Sequence, residues 1–159
     1  MKAADQFHLG IVADDLEATK ASLAAVLGYE WGAEVGGPVA VTLPTGDTTL
    51  DIRCVYSLTV PRLEIVRSIP DTMWSPATSP GFGIHHVGFW SDDVAADIAH
   101  LSAESYVVEV VRTISGRPFF AFLVGERGFR IEVVDRAARE GLRRCWTAPE
   151  SREQQEIHG

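Results

Sequence analysis

Two histidines and two glutamates recur at matched places in this chain. His8 lies in Phe7-His8-Leu9-Gly10-Ile11-Val12-Ala13-Asp14-Asp15-Leu16, and His86 in His85-His86-Val87-Gly88-Phe89-Trp90-Ser91-Asp92-Asp93-Val94, at a constant offset of 78. Glu64 lies in Arg62-Leu63-Glu64-Ile65-Val66 and Glu132 in Arg130-Ile131-Glu132-Val133-Val134, at an offset of 68. Two imidazoles and two carboxylates make a borderline-to-hard donor set, suited to one divalent ion among Zn, Ni, Co, Mn and Fe. Such an ion polarises a carbonyl as a Lewis acid, and a carboxylate beside it can take an α-proton. Glu132 is the first candidate for that catalytic base and Glu64 the second, with little in the two copies to separate them.

The repeat implies that one supersecondary unit is used twice. The first copy reads as a strand over 7–13, a helix opened by Asp14-Asp15 and closed at Gly28, then strands near 38–43, 49–57 and 60–66. Leu16, Leu23, Val26 and Leu27 are expected on one face of that helix. The second copy reads as a strand over 84–91, a helix with Val94, Ile98 and Leu101 on one face, and strands near 106–112, 117–124 and 128–134. Residues 1–67 and 84–135 are therefore two tandem βαβββ modules. A Pro-, Ser- and Gly-rich linker, 68–83, joins them, and 136–159 forms a short helix and a frayed tail. The expected fold class is α+β: one structural domain in which the two modules form a half-barrel around one cleft.

Side chains alternate across a strand. Leu9, Ile11, Leu63 and Ile65 share the face that must pack on a helix, as do Val87, Phe89, Ile131 and Val133 in the second copy. His8, Gly10, Glu64, His86, Gly88 and Glu132 then face the cleft. A carboxylate buried without a partner is costly, and a divalent cation offsets that cost for two of them at once. His85 has the wrong parity and is expected on the helix side or at the strand end, while the two glycines suit a need for open space near the site.

A formal charge of −8 and a pI near 5.0 give no basic face for nucleic acid. No apolar run approaches the roughly 20 residues of a membrane span, and the start carries no apolar signal core. Cys54 and Cys145 form neither a disulfide framework nor a zinc ribbon. These features point to a cytoplasmic protein with a small-molecule substrate and no nucleic-acid or membrane partner.

The paired His-x-Gly…Asp-Asp and hydrophobic-Glu-hydrophobic elements resemble the vicinal-oxygen-chelate superfamily, which includes glyoxalase I, methylmalonyl-CoA epimerase, extradiol dioxygenases and bleomycin-resistance proteins. The likeness covers about 7–135, and Gly83-Ile84-His85-His86-Val87-Gly88-Phe89 is especially similar to epimerase and glyoxalase-like members. The resemblance implies metal positions at His8, Glu64, His86 and Glu132, a pair of βαβββ units closing into a half-barrel, and a homodimer. It favours an isomerase or lyase working through a metal-bound enolate on a carbonyl or thioester. The alternatives are an extradiol-type Fe(II) dioxygenase, against which Glu64 counts as a fourth ligand, and a metal-free binding or resistance protein. Arg62 and Arg130, two positions from the glutamates, are candidates for an anionic group of the substrate. Trp90 and Phe122, with Phe119 or Phe120 and Trp74, are candidates for an apolar pocket.

Overall fold

Asp15 and Asp93, again 78 apart, each cap a helix. The Asp15 carboxylate accepts the Ala18 amide at 2.9 Å and the Asp93 carboxylate that of Ala96 at 3.0 Å, satisfying N–H groups that the first helical turn leaves open. The computed structural model describes residues 1–75 and 83–147, so 76–82 of the linker, with Pro76, and the tail from 148, with His158, lie outside the described residues. The first copy comprises β1 (Gln6–Ala13), α1 (Leu16–Leu27), β2 (Val35–Leu43), β3 (Gly46–Tyr56) and β4 (Leu63–Arg67). The second comprises β5 (His86–Ser91), α2 (Val94–Ala103), β6 (Val107–Ile114), β7 (Arg117–Val124) and β8 (Arg130–Asp135). A chain of short helical turns follows from Arg136 to Trp146, with α3 (Arg139–Arg143) at its middle.

The sheet departs from the expected half-barrel. The eight strands close into a ring in the order β1-β4-β3-β2-β6-β7-β8-β5. One junction between the copies is the antiparallel β1/β5 pair; the other is a narrow β2/β6 contact at Thr42 and Val111. Closure gives both outer edges a partner.

Among the described residues, three apolar clusters follow largely from strand parity. Ala13, Leu16, Trp31, Val55 and Ile65 pack under α1. Val94, Leu101, Ala121, Leu123, Ile131 and Val133 pack under α2. Val12, Val41, Val66, Trp74, Val110 and Phe122 fill the barrel interior. The apolar stripe read for α2 packs on the sheet, but that of α1 ends early. Val26 and Leu27 are exposed, and Lys20 takes a buried place in the stripe with its ammonium on Glu17, its stem covering apolar surface. Among the described residues no helix is long and apolar enough to cross a membrane.

Candidate metal centre

Register places the four side chains in two rows across adjacent strands. Gly10 pairs with Glu64 of β4 on one side and His86 of β5 on the other. Gly88 pairs with His8 of β1 on one side and Glu132 of β8 on the other. Each row thus has an imidazole and a carboxylate flanking a glycine, all pointing into the barrel. His8, His86, Glu64 and Glu132 are buried, and one donor atom from each lies within 4.8 Å of all the others.

The two Nε2 atoms are 2.9 Å apart. Glu64 Oε2 lies 3.0 Å from His86 Nε2 and 3.3 Å from His8 Nε2; Glu132 Oε2 lies 3.1 Å from His8 Nε2 and 3.6 Å from His86 Nε2. Burial opposes charging of His8, but the two glutamates outweigh it and raise its pKa to about 9. Burial likewise opposes ionisation of Glu64, yet His8 and His86 hold its carboxyl well below the ordinary value. Glu132 Oε2 is buried with no well-directed hydrogen bond among the described residues. Two carboxylates converge with one orphaned oxygen and two ring nitrogens aimed at each other. This set fits a divalent cation, which would replace the proton on His8 and give Glu132 Oε2 a partner.

His85 settles which nitrogen His86 offers. Its Nε2 lies 2.7 Å from the Met73 carbonyl oxygen and its Nδ1 3.0 Å from His86 Nδ1. A carbonyl only accepts, so His85 Nε2 donates. Burial, with His86 and Arg130 nearby, pushes the His85 pKa down to about 3, so the ring is neutral and its Nδ1 accepts. His86 Nδ1 therefore donates to His85, so Nε2 is the nitrogen His86 can offer to a metal ion at the centre. His85 sits just before β5, fully buried, at the strand end.

A cavity of about 460 Å³ opens beside the centre. Of the four clustered residues only Glu64 and Glu132 line it; the imidazoles sit behind them. Phe122 and Phe120 form one wall and Trp74 another, while Ala138, Gly141 and Leu142 close a third. Sequence reasoning missed Tyr56, Cys54 and Arg112, which also line it. Tyr56 and Cys54 stand opposite Glu64 and Val66 in the β3/β4 ladder, so their parity was the available signal. Burial first, and Glu64 second, push both pKa values well up, keeping a protonated hydroxyl and thiol beside the carboxylates.

The other residues singled out from sequence sit elsewhere. Arg130 is buried and grips Glu109 through Nε at 2.6 Å and Nη2 at 3.0 Å. Arg62 donates to the Ser57 carbonyl and lies 4.5 Å from the Trp146 ring centroid. Trp90 stacks on Phe7 at 3.7 Å. Arg62 and Trp90 meet in a second cleft, with Phe7, Arg139, Arg143 and Trp146, and do not line the cavity of the carboxylates.

Residues 7–122, most of the chain, match the Glyoxalase/Bleomycin resistance protein/Dioxygenase superfamily. The chain belongs to this superfamily. Solved structures of similar fold include a Streptomyces coelicolor methylmalonyl-CoA epimerase variant in complex with 2-nitronate-propionyl-CoA, at 22% identity and TM-score 0.57, covering 84% of this chain and 98% of that one. The Mycobacterium tuberculosis methylmalonyl-CoA epimerase aligns at 17% identity and TM-score 0.55, covering 89% and 96%. A Bacillus halodurans hypothetical protein aligns at 18% and 0.52, covering 82% and 93%. No curated protein matches the sequence significantly. At these identities the likeness establishes the fold, shared across nearly the full length of a superfamily member of this size. Glu132 lies beyond the matched segment, and its place in the cluster rests on the β5/β8 register.

Proposed function

We propose that this superfamily member is a metal-dependent isomerase or lyase that moves a proton at the carbon beside a carbonyl or thioester, in the manner of an epimerase or glyoxalase. One observation carries the reading: within a buried His/Glu cluster, the two carboxylates alone face the cavity. His8, His86, Glu64 and Glu132 would hold one divalent ion, which supplies Lewis-acid polarisation of the substrate carbonyl.

The chain's own groups do the rest. His8 and His86 hold the centre from behind, each in the space left by a glycine. Glu132 takes and returns the α-proton, because its Oε2 lacks a directed partner while Glu64 Oε2 is engaged by His86. Tyr56 offers a neutral hydroxyl to charge developing on the substrate oxygen. Trp74, Phe120 and Phe122 exclude water, which strengthens each of these contacts. The CoA esters in the epimerase structures make branched acyl thioesters the first substrates to try. A homodimer, as the superfamily resemblance implies, is part of the same proposal.

The test is deuterium exchange in D₂O. Among 2-methyl-branched acyl-CoA thioesters and thiol-derived hemithioacetals, one should gain deuterium at the α-carbon only with metal present. Glu132→Gln should slow this roughly 100-fold or more, the usual scale of general-base catalysis. Oxygen consumption with a catechol by the iron-loaded protein, without exchange, would replace this reading with a dioxygenase.

A further inference from the structure

We propose that the cavity takes a compact apolar carbonyl compound bearing an anionic group remote from the carbonyl, and that Arg112 recognises that group. The carbonyl end rests on the function proposed above; the anionic end rests on independent observations.

Arg112 is the one cation among the described residues lining the cavity. Four other arginines are matched to carboxylates among the described residues: Arg53 to Asp51, Arg67 to Glu34, Arg130 to Glu109, and Arg136 to Asp5 and Asp92; Arg62 instead meets a carbonyl and a ring. Arg112 has no carboxylate within ion-pair distance among the described residues, and its guanidinium carbon lies 5.3 Å from the Phe119 ring centroid. A guanidinium over a ring keeps its in-plane N–H groups free for a planar anion. Its backbone is held in the β6/β7 ladder opposite Phe120, which also lines the cavity.

A second observation points to a ligand in the same space. Trp74 is 1% exposed and lines the cavity, and its indole N–H has no hydrogen-bond partner among the described residues. A buried donor without a partner is costly, and a polar atom of a bound molecule would satisfy it. A purely hydrocarbon ligand would leave both Arg112 and Trp74 unmatched.

Register sets the size of the molecule. Phe122 pairs with Glu132 on one side and Val110 on the other, and Phe120 pairs with Val134 and Arg112. Arg112 therefore lies one pleat repeat along and two strands across from Glu132, on the order of 12 Å between backbone positions. Both side chains reach inward, and the walls between them are Phe120, Phe122 and Val134. A single ring or short branched chain spans what remains. The class is thus a ring- or branched-chain ketone or thioester with a carboxylate at its far end.

The probes are 4-acetylbenzoate, which carries ketone and carboxylate across one ring, and its methyl ester, which lacks the charge. Calorimetric titration of zinc-loaded protein should show the acid binding tenfold or more tightly than the ester, with the advantage shrinking as salt rises. Arg112→Met should bring the acid down to the ester, and Arg112→Lys should restore part of the difference. Unchanged zinc content in both variants establishes that the fold and centre are intact. Equal binding of acid and ester, no saturable binding of either, or a preference that survives Arg112→Met overturns the assignment. The two readings fail separately. Acid preference without metal-dependent exchange of the acetyl protons removes the enolate chemistry and keeps Arg112, whereas exchange without acid preference does the reverse.

Discussion

The His86 imidazole occupies the place where a side chain on Gly10 would begin. A Cβ at Gly10 would fall 1.9 Å from His86 Cε1, and one at Gly88 would fall 2.0 Å from His8 Cε1. Neither glycine has a positive φ, so space rather than backbone conformation requires them. Each copy of the repeat thus supplies both a histidine and the hole for the other copy's histidine.

Replacing Gly10 or Gly88 by Ala should therefore act as overpacking. The expected loss is about 1–3 kcal/mol of stability, together with the metal, because the displaced imidazole no longer reaches the centre. Thermal melts with metal analysis check this; a Gly10→Ala protein with wild-type melting and full metal would contradict it.

The raised pKa of His8 predicts a proton count. In the metal-free protein His8 is charged at pH 7, since its pKa of about 9 lies above the unfolded value of 6.5. This stabilisation is complete below 6.5 and is lost as pH rises through about 9. A divalent ion must displace that proton, so apparent metal affinity should rise with pH, by up to about tenfold per unit below 9, and then level off. Titration calorimetry in buffers of different ionisation enthalpy should report about one proton released per ion at pH 7. Release of none would place the proton elsewhere.

His85 should act through the tautomer of His86. His85→Phe should weaken metal binding by about 10–100-fold, the usual cost of losing a group that orients a ligand. His85→Gln, which can still donate to Met73 and accept from His86, should recover most of it. ¹⁵N NMR of the metal-free protein should show His86 protonated at Nδ1 in wild type and Gln variant but not in the Phe variant. Equal metal affinity in all three proteins would reduce His85 to a packing residue.

Arg136 ties the cavity's C-terminal wall to the barrel. It donates to Asp5 at 2.8 Å and to Asp92 at 2.7 Å, holding both carboxyls below their usual range. Their contribution is present above the unfolded value of 3.8 and is lost as pH falls through the lowered folded values. Arg136→Gln should raise both pKa values by NMR titration and loosen the segment carrying Ala138, Gly141 and Leu142, read as faster amide exchange there. Unchanged exchange would separate the clamp from the wall.

Parity and repetition made much of this legible. Alternation along four strands puts His8, Glu64, His86 and Glu132 on one face, and α1 begins after Asp15 and stops at Gly28 as those residues indicate. Parity says which face a residue takes but not how far along the barrel it lies, so Trp90, two positions beyond Gly88, ends against Phe7 and Trp146 instead of in the cavity. Arg130 shares parity with Glu132 but is claimed by Glu109 on β6, a partner two strands away that no local pattern indicates. His85 depends on a carbonyl at Met73, in another segment. Barrel closure depends on β2 meeting β6, a contact between copies that comparing the copies does not disclose.

One divalent ion held by residues drawn from both copies should survive purification of the protein. Elemental analysis of protein purified after metal reconstitution, set beside a His8→Ala/His86→Ala double variant with matching far-UV circular dichroism, tests it most directly. About one ion per chain is expected in the wild type and almost none in the variant. Full metal content in the double variant would contradict it.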